Sequence, residues 1–178
     1  MWRPKQLPDL EKELVAMGLE ADPESLSDLM SHPMNAVIWL GGCTASFVSP
    51  DGLVVTNHHC AYGSIQHNST KENNLLEKGF IAQELSDELP AAPGSRIRVT
   101  VEVTDVTDEV VSTVPQGASG RERYQALDDQ RKALIAECEK DPGHRCSVRG
   151  YYGGSEYELI KQLEIRDVRL VHAPPGPI

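Results

Sequence analysis

The chain has 178 residues, of which 39% are hydrophobic and 25% charged, a composition that is ordinary for a globular protein. Its 17 basic and 27 acidic side chains give a formal net charge of −10, which argues against a nucleic-acid partner because such a surface needs clustered Lys and Arg. No apolar run approaches the roughly 20 residues of a bilayer-spanning helix, so we expect no membrane insertion.

The first part of the chain predicts two short helices. Residues 8–19 carry apolar side chains at helical spacing, and Asp22 before a proline marks the start of a second helix over about 23–32. We therefore assign 1–35 to an N-terminal helical segment and 36–178 to a β-containing domain.

Three apolar runs then predict a β-meander. They cover 36–40, 44–48 and 53–56, and the Ser-Pro-Asp-Gly sequence at 49–52 is typical of a hairpin turn.

The rest of the chain predicts a mixture of helices and strands. Residues 70–88 have helical spacing with a possible break at Gly79, and Ser119 with Glu122 forms a capping box that starts a helix reaching about residue 140. The predicted strands are 96–106, 145–152, 156–163 and 167–172. The fold class expected from these elements is α+β.

The segment with most chemical information ends in a histidine followed by a cysteine, His59-Cys60, after the meander. A second cysteine, Cys43, opens the preceding strand. Antiparallel strands joined by a tight turn bring such ends together, so a Cys43–Cys60 disulfide can form across the ladder. That bond would hold the backbone of His59, and a general base must lie within about 3 Å of the proton it removes. We therefore predict His59, at the end of a strand, as a catalytic base.

The four cysteines favour disulfides and an oxidising compartment, because their number is even and they form two closely spaced pairs. None forms a Cys-x-x-Cys motif, which argues against a zinc ribbon or a thioredoxin-like site. Cys138 and Cys146 flank a turn-like stretch, and a bridge between them would contribute about 2–3 kcal/mol; two buried free thiols are the alternative. The first residues have no signal-peptide pattern, so the chain is either cytosolic or a mature or trimmed form.

A metal site is the competing interpretation of the histidine-rich cluster His58, His59, Cys60 and His67. Neighbouring residues of a strand point to opposite faces, so His58 and His59 do not readily share one ion. We therefore predict no metal and no cofactor, and we assign His58 a packing or supporting role.

Residues 56–60, Thr-Asn-His-His-Cys, resemble the Thr-Ala-Ala-His-Cys segment of chymotrypsin-like serine proteases, with Asn-His replacing two alanines. Together with 42–48 (Gly-Cys-Thr-Ala-Ser-Phe-Val) and 51–63, this segment is similar to the bacterial dipeptidyl-peptidase family that includes dipeptidyl peptidases 7 and 11. The similarity extends over at least 1–80, including Met-Trp at the start and Asn-Leu-Leu-Glu-Lys-Gly-Phe at 74–80.

The resemblance implies a periplasmic or cell-surface serine exopeptidase that removes dipeptides from peptides with a free N-terminus and forms a homodimer. It implies a chymotrypsin-like double β-barrel with added helices, of which this chain is the N-terminal portion, a partial first barrel with helices at about 70–88 and 119–140. His59 is then the general base. The non-catalytic alternative is a β-barrel binding module stapled by its disulfides.

The resemblance also implies that the aspartate and serine of the triad lie beyond Ile178, so the 178 residues alone are expected to be inactive. Asp51 belongs to the hairpin turn, and Asp105 and Asp167 are poorly motivated candidates for the acid. No Gly-x-Ser-x-Gly motif is present. A glycosylation sequon at Asn68 is a weak pattern. The substrate's preferred second residue, apolar or acidic, is not encoded in a recognisable motif.

Overall fold

The structure is a computed structural model that describes residues 3–176. Four residues lie outside this range, so the resemblance at the Met-Trp start and the outer ends of the predicted domains are not addressed: Met1, Trp2, Pro177 and Ile178.

The described chain divides into two compact units. The first holds the residues up to Arg98 together with those from Ile165 onward, and the second is Val99–Glu164. The predicted boundary near residue 35 stays a prediction.

Helices and strands alternate irregularly along the chain. The α-helices are α1 (Glu11–Ala16), α2 (His58–His67), α3 (Leu75–Lys78), α4 (Thr107–Val111) and α5 (Gly120–Cys138). The strands are β1 (Val37–Leu40), β2 (Cys43–Phe47), β3 (Val54–Thr56), β4 (Phe80–Ile81), β5 (Leu89–Pro90), β6 (Ile97–Asp105), β7 (His144–Tyr151), β8 (Glu156–Ile165), β9 (Arg169–Leu170) and β10 (His172–Ala173).

The N-terminal helices are shorter than predicted. The first is reduced to α1, which buries no residue, and the second to a 3₁₀ helix over Pro23–Leu26. Asp22 does cap that turn, because its carboxylate accepts a hydrogen bond from the Glu24 amide at 3.0 Å. Beyond it, the Asp28 carboxylate accepts from the Met30 amide at 2.9 Å, and such local side-chain bonds compete with helical ones.

The predicted β-meander is confirmed in the first unit. Strands β1, β2 and β3 pair antiparallel in sequence order, with Ile38 opposite Ala45 and Ala45 opposite Thr56. The turn between β2 and β3 requires a glycine, since Gly52 has a φ of +87°. Strand β6 begins beside β1, with Ile97 opposite Leu40.

The prediction of a helix over 70–88 is wrong. Helix α3 ends at Lys78, directly before the predicted break at Gly79, whose φ is +74°. A Cβ there would lie 2.8 Å from the Pro175 backbone nitrogen, so this turn accepts only glycine. After it the chain forms β4 and β5, which pair with β10 and β9. These short ladders cover a core of four buried residues: Ile65, Leu75, Leu170 and Ala173.

The second unit packs two helices on antiparallel strands. Strands β7 and β8 pair along their whole lengths, from His144 opposite Leu163 to Tyr151 opposite Glu156. Helix α5 starts as predicted, with the Ser119 amide donating to the Glu122 carboxylate at 2.9 Å. Helix α4 was not predicted. The core contains Val106, Val110, Val148 and Tyr157.

The mixture of helices and strands agrees with the predicted α+β class. Among residues 3–176 the sheets are not closed, because β3 in the first unit and β7 in the second each pair on one side only. A closed double barrel therefore stays a prediction. Among residues 3–176, no helix combines the length and the apolar character needed to cross a bilayer.

Candidate functional site

His59 lies in the first turn of helix α2 and not at the end of a strand, which corrects the prediction. Asn57, the residue before the helix, is extended, and its carbonyl accepts the Cys60 amide at 2.9 Å. The chain therefore leaves β3 and enters the helix within one residue. His59 itself is exposed.

The predicted Cys43–Cys60 disulfide is confirmed, with the two Cα atoms 6.1 Å apart. Because Cys60 is helical, the bond joins the first residue of β2 to the first turn of α2 and does not cross a strand ladder. Beside it, the Thr56 hydroxyl donates to the Thr44 carbonyl at 3.0 Å. The backbone that carries His59 is thus tied to β2 by a covalent bond and by a hydrogen bond.

The far end of helix α2 is anchored by one apolar contact and two hydrogen bonds. Ile65 is 1% exposed and packs in the core of the first unit. The Ala92 amide donates to the Ser64 hydroxyl at 3.0 Å, and the Asn68 side-chain amide donates to the Pro90 carbonyl at 2.9 Å. The sequence did not indicate these roles for Ser64 and Asn68, because the loop they bind is distant along the chain.

His58 is half-buried, and its ring meets that of Tyr62 edge-on, with centroids 6.1 Å apart and planes at 79°. Its Nε2 is buried and has no hydrogen-bond partner among residues 3–176. These contacts agree with the supporting role predicted for His58, and they distinguish it from the exposed His59.

The helical position of these histidines changes the metal argument. Successive helical residues are separated by about 100° around the axis, so His58 and His59 are not on opposite faces. His67 lies about 12 Å from His59 along the axis, too far to share an ion with it. The group that the fold does gather is Cys43, His59 and Cys60, whose potential ligand atoms lie within 4.8 Å of one another. Both sulfurs are used in the disulfide.

The weak candidates for the triad acid lie in local contacts within their own turns. Both oxygens of Asp167 accept hydrogen bonds from Arg169 at 3.0 Å, and this bonding lowers the pKa of the carboxyl. Asp105 accepts from the Thr107 amide at 2.8 Å, and Asp51 lies in the hairpin turn. None of these contacts indicates a catalytic role.

The second predicted disulfide, Cys138–Cys146, is also confirmed, with Cα atoms 6.2 Å apart. It joins the last residue of α5 to β7 within the second unit. The alternative of two free thiols is excluded in this structure.

Comparison with known proteins places these residues in a family. The sequence profile of the family Peptidase S46 matches residues 1–178. The Asp/Glu-specific dipeptidyl-peptidase of Shewanella putrefaciens is 52% identical over 177 residues, which cover 99% of this chain and 24% of that protein. Dipeptidyl-peptidase 7 of Capnocytophaga gingivalis is 38% identical over 168 residues, covering 93% and 23%.

The fold agrees with a solved structure of a similar protein. The crystal structure of Porphyromonas endodontalis DPP11 in complex with substrate superposes with a TM-score of 0.83 at 30% identity, covering 98% of this chain and 26% of that one. The chain spans about a quarter of the length of the curated relatives it matches. Profile, relatives and fold together confirm the resemblance found around the Asn-His-His-Cys segment: the chain belongs to the peptidase S46 family.

Proposed function

We propose that this chain supplies His59 as the general base of a serine dipeptidyl-peptidase, an enzyme that releases dipeptides from peptide N-termini. The observation that carries the proposal is the placement of His59: an exposed imidazole on a helical turn that the Cys43–Cys60 bond ties to β2. Membership of the S46 family and relatives named dipeptidyl-peptidases support it.

In this role, His59 accepts the proton of the serine hydroxyl as the serine attacks the scissile carbonyl, and then returns it to the departing amine. The serine and the orienting aspartate would come from residues other than these 178, in keeping with relatives about four times as long. A rigid backbone suits such a base, because a misplaced imidazole loses the alignment on which proton transfer depends.

We further propose that the enzyme prefers an acidic second residue in its substrate. The support is the 52% identity to a relative named Asp/Glu-specific, against 38% to a dipeptidyl-peptidase 7. Fluorogenic dipeptide substrates that end in Asp or Glu should be cleaved faster than matched substrates that end in Leu. Faster cleavage of the Leu substrates would contradict this preference and leave the role of His59 untouched.

A periplasmic location and a homodimer complete the proposal. Two disulfides suit an oxidising compartment, which supports the location. The homodimer is carried over from the family, and light scattering of the complete gene product tests it: twice the chain mass is expected, and a monomeric mass would contradict it.

The comparisons do not favour the alternative of a non-catalytic binding module, since the relatives named above are peptidases. Labelling with a fluorophosphonate separates the two functions. The complete gene product should be labelled at a serine, His59→Ala should abolish labelling, and His67→Ala, at the other end of α2, should leave it unchanged. Labelling that survives His59→Ala would overturn the assignment.

A further inference from the structure

Cys43, His59 and Cys60 form a group whose chemistry the peptidase reaction does not fully use. Two thiols and an imidazole are ligands that soft and borderline divalent cations prefer. We propose that the reduced form of this region is a binding site for a thiophilic divalent cation such as Zn²⁺, with both sulfurs and one ring nitrogen of His59 as ligands.

The distances suit a tetrahedral ion once the disulfide is open. Bonds of about 2.3 Å to sulfur and about 2.0 Å to nitrogen place two sulfurs about 3.8 Å apart, and sulfur and nitrogen about 3.5 Å apart. The ligand atoms already lie within 4.8 Å of one another. Small side-chain rotations therefore complete the site, and because His59 is exposed, water can fill the fourth position.

The backbone has other means of keeping these residues together after reduction. Strands β2 and β3 remain paired, the Thr56 hydroxyl bonds to the Thr44 carbonyl, and the Cys60 amide bonds to the Asn57 carbonyl. Helix α2 stays anchored through Ile65 in the core. A set of ligands held in place by the fold pays less entropy on binding than one gathered from a flexible chain.

A dithiol is the reductant that opens the Cys43–Cys60 disulfide. One of its thiolates attacks the Cys43–Cys60 bond to give a mixed disulfide, and its second thiol then displaces the freed cysteine. Two electrons and two protons pass to Cys43 and Cys60, while the dithiol becomes a disulfide. Binding of Zn²⁺ then releases the two thiol protons to solvent, and the two thiolates neutralise the charge of the ion.

The disulfide therefore has two effects on His59: it fixes the position of the imidazole, and it prevents metal binding to the ring. A metal-bound ring nitrogen has no lone pair for a proton, so the reduced, metal-loaded form would lose the base. This consequence rests on the proposed function, whereas metal binding itself does not.

Zinc titration of the complete gene product tests the proposal without any assay of activity. The chain is reduced with dithiothreitol, freed of reductant by anaerobic gel filtration, and titrated with Zn²⁺ against a chromogenic indicator. Near-ultraviolet circular dichroism confirms that it remains folded, and Co²⁺ in place of Zn²⁺ reports thiolate ligation by a charge-transfer band.

The second disulfide provides the matched control. Cys138→Ser/Cys146→Ser should bind one ion when reduced and none when oxidised, and Cys43→Ser/Cys60→Ser should bind none. In the first background, His59→Ala should weaken binding at least about tenfold, since even partners outside the ligand set are worth about 10–100-fold, while His67→Ala should not.

Several results would overturn the proposal: no ion bound by the folded reduced chain, equal binding by Cys43→Ser/Cys60→Ser, or unchanged affinity in His59→Ala. Loss of the dichroism signal on reduction would also overturn it, because the fold would then not be holding the ligands together.

Discussion

The two disulfides are nearly equal as cross-links, yet their surroundings differ. Their Cα atoms are 6.1 and 6.2 Å apart, and each bond joins a helix end to a strand. Near Cys138–Cys146 the polar side chains bind one another: Asp141 accepts from Lys161 at 2.6 Å and lies 3.1 Å from His144. Near Cys43–Cys60, His59 is exposed, whereas His144 beside the other bridge is half-buried. Each region has one buried imidazole nitrogen without a hydrogen-bond partner among residues 3–176, the Nε2 of His58 and the Nδ1 of His144.

The difference shows what separates a structural cross-link from a candidate site. A bridge with a neighbouring ion-pair network contributes to stability, and the imidazole beside it, His144, is half-buried. A bridge that fixes the backbone beside an open imidazole leaves a group available for chemistry. The presence of a disulfide alone did not distinguish these two regions; the state of the side chains around each one does.

The largest stability effect is expected from the core residue under helix α2. Ile65→Ala should cost about 2–5 kcal/mol, because Ile65 is 1% exposed and its removal leaves a cavity. Urea unfolding gives the loss, and thiol trapping at low urea shows which bridge becomes reducible. Cys43–Cys60 should become reducible first in this variant.

Val110→Ala is the matched variant of the second unit, since Val110 is 0% exposed and the loss should be about 2 kcal/mol. Here Cys138–Cys146 should become reducible first. If both bridges open together in both variants, the two regions unfold as one and the contrast between them fails.

Removing each bridge should have an effect on stability that lies within the range expected for these two core substitutions. The cysteines of the first bridge are 17 residues apart in sequence and those of the second 8 residues apart. From these loop lengths, the loop-closure model predicts that removing Cys43–Cys60 lowers the free energy of unfolding by about 3 kcal/mol and removing Cys138–Cys146 by about 2.5 kcal/mol. Paired serine substitutions and urea unfolding measure both losses of stability.

The two bridges should also differ in their effect on His59. In the complete gene product, only the Cys43→Ser/Cys60→Ser pair should slow fluorophosphonate labelling markedly. Equal slowing by the other pair would show that the first bridge has no special link to His59.

The smallest effect concerns the ion pairs of the second unit. The hydrogen bond from Lys161, assisted by His144, lowers the pKa of Asp141 below its ordinary value of 3.8. The stabilisation is therefore present above that value and is lost as the pH falls through the lowered pKa. Thermal unfolding of Asp141→Asn should show a lower midpoint than wild type at neutral pH, and the gap should close in acid. A gap that persists at a pH where Asp141 is already protonated in the folded protein, below its lowered pKa, would contradict this cause.

Strong local signals made part of this fold predictable. The Ser49–Gly52 turn between two apolar runs specified the meander, and the Ser119–Glu122 capping box specified the start of α5. The predicted 70–88 helix failed because Gly79 turns the chain and β4 and β5 find partners in β10 and β9, near the other end of the chain. Such pairing leaves no local trace in the sequence.

The candidate site was predictable in its residues and not in its geometry. The spacing of Cys43, His59 and Cys60 predicted the bridge, which the structure confirms, whereas the role of His59 as base stays a proposal. The helical placement of His59 was missed, because Asn57 makes no side-chain cap and the apolar run of β3 ends only two residues before the helix. The exposure of His59, the burial of the His58 Nε2 and the anchoring by Ser64 and Asn68 depend on contacts that only the folded chain supplies.

The central claim is that His59, and not its neighbour, acts as the base. Dipeptide release by the complete gene product, compared between His59→Ala and His58→Ala, tests it most directly. His59→Ala should lower kcat by about 10⁶-fold with KM little changed, as for removal of a triad histidine, whereas His58→Ala should lose no more than about 100-fold. Near-normal turnover by His59→Ala, or inactivation by His58→Ala alone, would contradict it.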